Sequence, residues 1–326
     1  MSLRAATLSM LRQGMGDWVS GETLAESLNV SRTAIWKQIK KLQEDGYSIE
    51  SASKKGYRLL EVPDVLSPDE VCPGLQTEVF GRVHYIYLEE VGSTNTYARE
   101  LAASGYPEGT VVVAESQTAG RGRRGRAWHA PLSEGICVSL LLRPKLPLKE
   151  ISRISLVTAA AVAQMLETQL GLTASIKWPN DIQIRGKKIA GILTEGVTDM
   201  DGVEYIVAGI GLNVNIRAEQ FPEEFRDRAT SVLAELGRPY SRGKLLQSLL
   251  AHFESSYQLL LAGGFGDILK EVRKRSTVIG HEVHLDAVNG FVTGLAVDID
   301  DNGFLVVRDD SGAMQTVMSG EIEVIP

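Results

Sequence analysis

The sequence predicts a multi-domain α+β chain, on three observations. It opens with short helices, a tight turn and a hairpin, continues with a stretch in which strands and helices mix, and ends in short strands broken by glycine turns. At 326 residues there is room for two or three domains, each with a core of its own. Hydrophobic residues make up 44% and charged residues 23%, the balance of a globular rather than a disordered chain. The formal charge of −7 argues against a general polyanion binder, so any nucleic-acid contact must come from a local basic patch. No stretch is apolar for long enough to cross a bilayer, and the opening MSLRAATLSML lacks a signal-peptide core. The expectation is a cytoplasmic protein with no membrane partner.

From Leu3 to Leu60 the pattern is three helices and a hairpin. Ser20 is placed to cap a helix bearing Leu24, Ala25 and Leu28. Ser31 is placed to cap another, whose Ile35, Ile39 and Leu42 form one apolar stripe that Gly46 ends. Asn29 and Val30 form the turn between them, and Lys54-Lys55-Gly56 joins two short strands. The sum is a winged helix-turn-helix. Arg32, Thr33, Lys37, Lys40 and Lys41 point away from the apolar stripe, and Lys54 and Lys55 sit at the wing tip. These are the residue types that duplex DNA binding needs, whereas Trp36 reads as a packing residue.

The proline-bearing stretch EVPDVLSPDEVCPGL reads as a linker ending near Asp69. Beyond it come strands in VHYIYLEEV, GTVVVAES and GICVSLLLRP, a helix from about Ser152 to Leu170 stopped by Gly171, then ASIKW, DIQI, KIAGILTEG and EYIVAGIGLNVNI. RGKLLQSLLAHFESSYQLLLAGG reads as a further amphipathic helix. From about Ser276 four short strands, TVIGHEVHL, GFVTGLAVDID, GFLVVRD and MQTVMSGEIEVI, are separated by turns at Asn289-Gly290, Asp301-Asn302-Gly303 and Asp310-Ser311-Gly312, which predicts a small barrel. The resulting domains are 1–64, 65–273 and 274–326.

Several clusters carry chemistry. In AESQTAGRGRRGRAWHAP, Gly120, Gly122 and Gly125 have the spacing of a dinucleotide-binding turn, and a strand precedes them. The residues after Gly125 are RAWHAP, with Trp128 and a proline where that turn needs a helix. Arg121, Arg123, Arg124 and Arg126 instead place guanidinium groups on a glycine frame suited to phosphate or carboxylate. KWPNDIQIRGKKIAGIL puts Lys177, Asn180 and Asp181 at a strand end, and Lys188 in an apolar strand where a cation calls for an anion. Ser93, Thr94 and Asn95 stand at a helix start, where they serve either as caps or as a wall for a neutral polar ring. Cys72 and Cys137 share no disulfide or zinc spacing and read as packed or idle thiols. The five histidines show no metal spacing, His281 and His284 are placed on barrel strands, and no hydrolase or Walker signature is present.

Taken in order, STN, AESQTAGRGRRGRAW, KWPND, KKIAGIL and GIGLNVN resemble biotin protein ligase, and with the winged helix in front they resemble its bifunctional, repressor-bearing form. The resemblance covers essentially the whole chain. It implies a central mixed-sheet catalytic domain similar to class II tRNA synthetases and a C-terminal SH3-like barrel. It implies an ATP-dependent, AMP-forming reaction in which biotin becomes biotinyl-5′-AMP and then passes to a lysine of a biotin carboxyl carrier protein. It further implies repression at operator DNA by a homodimer that forms on adenylate binding. Carried over by motif, Lys188, Arg121, Arg123 and Asp181 are catalytic, with Asp181 helping to bind Mg²⁺. Ser93, Thr94, Asn95, Gln117, Gly120 and Gly122 join Arg121, Arg123 and Lys188 around biotin. Trp128, Lys177, Asn180 and Asn213 join the same cations around ATP. The terminal GEIEVIP lacks the arginine that some members carry after this motif, which puts a nucleotide contact from the last strand in doubt. Two rivals stay open: a lipoate or octanoate ligase with an apolar tunnel, and a ligand-sensing repressor without turnover.

Overall fold

The computed structural model describes residues 2–199, 202–287 and 290–325. The chain divides into two compact units, residues 1–65 and 66–326. In the first, α1 (Leu3–Gln13), α2 (Gly21–Ser27) and α3 (Arg32–Glu44) are followed by the antiparallel hairpin β1 (Ser48–Ala52) and β2 (Gly56–Glu61). The local signals act as expected: the Ser20 hydroxyl accepts from the Thr23 N–H at 2.9 Å, and the Ser31 hydroxyl from Ala34 N–H at 3.1 Å. Leu28 lies one residue beyond α2, as its C-cap. Leu8, Leu11, Leu24, Ile35, Ile39, Leu42 and Leu59 close a core of their own.

Trp36 is 50% exposed, against the expectation that it packs. One residue turns a helix by 100°, so Trp36 lies off the stripe that Ile35, Ile39 and Leu42 bury.

The second unit begins inside the stretch read as a linker. Leu66 and Val71 are fully buried, and residues Pro68–Val71 form the short helix α4. Then come β3 (Tyr85–Val91), α5 (Thr94–Ala103), β4 (Val111–Gln117), β5 (Gly135–Leu142), α6 (Ser152–Leu170), β6 (Ser175–Lys177), β7 (Asp181–Ile184), β8 (Lys187–Asp199) and β9 (Gly202–Asn213). The seven strands form one mixed sheet in the order β3-β4-β5-β9-β8-β7-β6, parallel only between β3 and β4. Helices α7 (Glu223–Arg226), α8 (Val232–Leu236), α9 (Arg242–Leu261) and α10 (Phe265–Arg275) follow. The charged helix α10 was not anticipated from the sequence. As expected, α6 stops at Gly171, which takes the left-handed conformation at φ 66°.

The two faces of this sheet differ in kind. Val111, Val113, Val138, Leu140, Ile192, Ile210 and Leu212 face the core shared with α6 and α9. On the other face Ala98 and Ala102 of α5 pack over Val112, Leu141 and Val207. That face then continues into Cys137, Ser139, Gly209, Gly211 and Gly191, which occupy neighbouring register positions on β5, β9 and β8.

The last strands, β10 (Glu282–Ala287), β11 (Gly290–Ile299), β12 (Leu305–Arg308), β13 (Met314–Val317) and β14 (Gly320–Val324), form an all-antiparallel sheet in the order β13-β12-β11-β10-β14. The stretch expected as one final strand is thus two, divided at Met318 and Ser319, and His281 precedes β10 rather than lying on it. Asn289 of the expected Asn289-Gly290 turn lies outside the described residues. Among the described residues no helix is long and apolar enough to cross a membrane.

Candidate functional site

The arginine loop spans residues 118–134, between β4 and β5. It is a miniature hairpin: Gly122 N–H donates to the Arg126 carbonyl at 2.7 Å, and Trp128 N–H to the Gly120 carbonyl at 2.9 Å. Only a single 3₁₀ turn, Arg123–Gly125, sits at its tip, so the helix that a dinucleotide fold requires is absent from this loop. Gly120 is needed for close approach, since a Cβ there would lie 2.9 Å from the Trp128 carbonyl oxygen. Each arginine is held. Arg121 meets Glu195 at 3.2 Å. Arg123 donates to Ser319 Oγ at 2.6 Å, the Gly320 carbonyl at 3.1 Å and Asn180 Oδ1 at 3.3 Å. Arg124 pairs with Asp286, and Arg126 with Glu321. The loop therefore lies between the mixed sheet and the C-terminal sheet, fastened to both.

Trp128 projects back over the sheet. A Cβ on Gly211 would stand 2.3 Å from its ring, and one on Gly191 at 3.1 Å. Those two glycines make the floor on which the indole rests. Sequence reading missed them, because a floor built from adjacent strands has no signature along the chain. Cys137, buried in register opposite Gly211, lies beside Trp128 and Gln117, and burial pushes its thiol up to about 12. Both cysteines are free.

Lys188 reaches the same face through an irregularity. Ile182 and Gln183 of β7 pair with Ala190 and Lys188 of β8, which leaves Ile189 as an extra residue. Such a bulge re-aims the side chains beside it. Ile189 and Ala190 both stay buried, while the Lys188 side chain runs over Gly191 to place Nζ 2.7 Å from Asp181 Oδ1 and 5.6 Å from the Trp128 ring centre. Asn180 closes this end, donating to the Ile192 carbonyl at 2.9 Å. Lys177 stands opposite Asp181 in the β6-β7 register, half-buried. Asn213 is turned inward, its amide donating to the Thr230 carbonyl at 3.0 Å.

The polar wall lies at the start of α5. Ser93 is the N-cap residue, yet its side chain makes no capping bond, so the capping explanation does not account for it. Gln117 Oε1 accepts from the Thr94 N–H at 2.7 Å and faces the Thr94 hydroxyl at 3.0 Å. Asn95 Nδ2 donates to the Leu193 carbonyl at 3.1 Å and to Glu195 Oε2 at 2.8 Å, which turns its Oδ1 toward Ser139 Oγ, 2.6 Å away. Ser139 Oγ also lies 2.8 Å from Thr94 Oγ1. A backbone N–H and a backbone carbonyl fix both amide orientations, so three hydroxyl contacts share two hydroxyl protons. This wall is one donor short, and a neutral ligand with N–H groups supplies what it lacks. Ser139 and Glu195 were not anticipated from the sequence.

Gly209 makes room for the wall: a Cβ there would lie 2.0 Å from Asn95 Oδ1. Gly209→Ala is expected to push Asn95 aside and raise the KM for the ring-bearing substrate by about tenfold or more, as for loss of a hydrogen bond in a buried site. Steady-state kinetics with an unchanged KM would contradict this geometry.

In the first unit, Arg32, Trp36 and Lys40 form one row along α3 at four-residue spacing, and Thr33, Lys37 and Lys41 the next. All six are exposed, as are Lys54 and Lys55 at the hairpin turn. Among the described residues no group of three or more His, Cys, Asp or Glu could hold a metal ion.

Comparison with known proteins places these parts together. Residues 87–213 match the biotin/lipoate A/B protein ligase family, residues 4–58 an HTH domain, and residues 278–324 the biotin protein ligase C-terminal domain. The bifunctional ligase/repressor BirA of Bacillus subtilis is 40% identical over 323 residues, 99% of each chain. The biotin–[acetyl-CoA-carboxylase] ligase of Mycobacterium tuberculosis is 35% identical over 242 residues, 72% of this chain and 86% of that one. The biotin protein ligase of Aquifex aeolicus, solved with biotin and ATP, superposes with a TM-score of 0.64 at 31% identity, covering 74% of this chain and 98% of that one. The likeness runs through the helix-turn-helix unit, the glycine-floored site and the C-terminal sheet alike, and the chain belongs to the family of bifunctional biotin ligase/repressors.

Proposed function

We propose that this chain joins biotin to a lysine of a biotin carboxyl carrier protein in two steps, and that its adenylate-bound homodimer represses transcription at operator DNA. The observation that carries the first part is the donor-short wall of Thr94, Asn95, Gln117 and Ser139 beside a cluster of cations. A ureido ring brings the N–H donors that this wall lacks, and an octanoyl or lipoyl chain brings none there. The proposed domain limits are 1–64, 65–273 and 274–326, and the proposed location is the cytoplasm.

In the first step an oxygen of the biotin carboxylate attacks the α-phosphorus of ATP. The new O–P bond replaces the bond to the β-phosphate bridging oxygen, and pyrophosphate leaves. Two anions must meet, so the work of the protein is neutralisation and alignment. Lys188 leaves Asp181 for the carboxylate and the α-phosphate, and Arg121 and Arg123 cover them from the loop. Asn180, which already receives Arg123, and Lys177 and Trp128 lie on the nucleotide side. Asp181 would help to hold a Mg²⁺ brought by the nucleotide, which would neutralise phosphate charge; among the described residues no group of three or more His, Cys, Asp or Glu could hold such an ion by itself. In the second step the carrier lysine, as the free amine, attacks the acyl carbon of biotinyl-5′-AMP. An amide forms, AMP leaves, and the amine gives up a proton. No side-chain nucleophile is required.

Biotin-dependent exchange of pyrophosphate into ATP tests the ligase half, and lipoate-dependent exchange without biotin dependence would favour the rival. For the repressor half, a mobility-shift assay on DNA from upstream of biotin genes should show binding that increases with biotin and ATP. The double variant Lys37→Ala, Lys40→Ala is expected to lower the slope of log affinity against log salt by about 0.9 for each phosphate no longer neutralised. An unchanged slope would mean these lysines do not touch DNA.

A further inference from the structure

Glu195 belongs to none of the motifs above, yet it touches the polar wall and the loop at once. Oε2 accepts from Asn95 Nδ2 at 2.8 Å. Oε1 lies 3.2 Å from Arg121 and 3.6 Å from Arg99, and only 24% of the side chain is exposed. It is the one acidic side chain paired with Arg121 among the described residues, on the substrate face of β8, four residues along from Gly191.

We infer that Glu195 is a positioning residue whose carboxylate occupies Arg121 until a substrate anion replaces it. This rests on the ligase reading. For Arg121 to meet the biotin carboxylate or the α-phosphate, it has to leave Glu195, so one ion pair is exchanged for another and the substrate binds against the resident carboxylate. A ligand that needs a conformer only partly populated binds more weakly by that fraction. Arg99 completes the exchange. When Arg121 departs, Glu195 keeps a guanidinium beside it rather than becoming an uncompensated half-buried charge. Meanwhile Oε2 keeps hold of Asn95, so the wall does not move when the loop does.

Two substitutions then act in opposite directions. Glu195→Gln retains an oxygen acceptor for Asn95 but no charge for Arg121, so Arg121 is free before substrate arrives and the KM for biotin falls. Arg99→Ala removes the competing cation, so Glu195 holds Arg121 more firmly and the KM rises. For partly exposed pairs each change is about two- to fivefold, with kcat altered less than KM. The experiment measures pyrophosphate exchange by the full-length protein with varied biotin at saturating ATP, alongside thermal unfolding of each variant. A residue that merely supports the fold would raise KM in both variants. The proposal is overturned if Glu195→Gln leaves KM unchanged or raises it, or if Arg99→Ala leaves it unchanged or lowers it. Absence of biotin-dependent exchange in the unmodified protein would overturn the ligase reading itself, a result distinct from either.

Discussion

Lys188→Ala is expected to lower biotin-dependent pyrophosphate exchange by about a thousandfold, the size seen when one charge-stabilising group is taken from a preorganised site. The bulge at Ile189 turns the Lys188 side chain onto the substrate face, and Asp181 holds its Nζ at 2.7 Å. The loss should fall on kcat, because in the proposed mechanism the lysine meets charge that develops as the carboxylate joins the phosphate. Thermal unfolding should move little, since the pair is partly exposed, with side chains at 35% and 26%. Near-normal exchange by a folded variant would remove Lys188 from the chemistry.

The second large effect is on stability. Arg242→Met is expected to destabilise the second unit by about 3–5 kcal/mol, the range for breaking a buried ion pair from one side. Arg242 is fully buried and its partner Glu115 is 4% exposed. Glu115 accepts from Arg242 at 2.7 Å, from the Leu66 N–H at 2.7 Å and from Ser133 Oγ at 3.1 Å, while Arg242 also donates to the Gly135 carbonyl at 3.1 Å. One charge pair thus fastens the start of the unit, the end of the arginine loop, the start of β5 and the start of α9. Its loss should lower the unfolding midpoint by about 10 °C, at about 2–4 °C per kcal/mol for a unit of this size. A shift under about 2 °C in a thermal melt would show that the pair is replaceable. Removing the Glu115 carboxylate as well, with Glu115→Leu, should recover only part of the loss, because Leu66 N–H and Ser133 would then lack their acceptor.

What the sequence made legible is what is local. Ser20 and Ser31 announce helices because a cap bonds two or three residues ahead, and Gly171 ends α6 because only the left-handed turn there is needed. The arginine loop was separable from a dinucleotide turn because the missing helix would have had to follow at once in the chain. The polar wall was legible as a group of residue types, though not as a network. What stayed hidden is what adjacency across strands creates. Gly209, Gly211 and Gly191 become a floor only when β9 and β8 lie side by side, and Ser139 meets Asn95 from 44 residues away. Glu115 and Arg242 are 127 residues apart. Glu195 reads as an ordinary strand charge until Asn95 and Arg121 arrive at its two oxygens. Trp36 misled for a related reason: its size favours burial, but its angle on α3 does not.

The tip of the loop over the site is fastened by charge, while Trp128 further along it rests on the glycine floor. Arg124 to Asp286 and Arg126 to Glu321 are pairs at the surface, with the Arg126 side chain 71% exposed. Pairs of this kind are individually weak and fade as ions accumulate, with a screening length of about 8 Å at physiological salt. How long a reactive anhydride stays sheltered from water, and whether it is passed on or spilled, therefore becomes a property of the surrounding electrolyte as much as of the protein. On the proposed ligase reading, added salt is expected to loosen these pairs and to make lysine labelling less selective, a dial outside the active site.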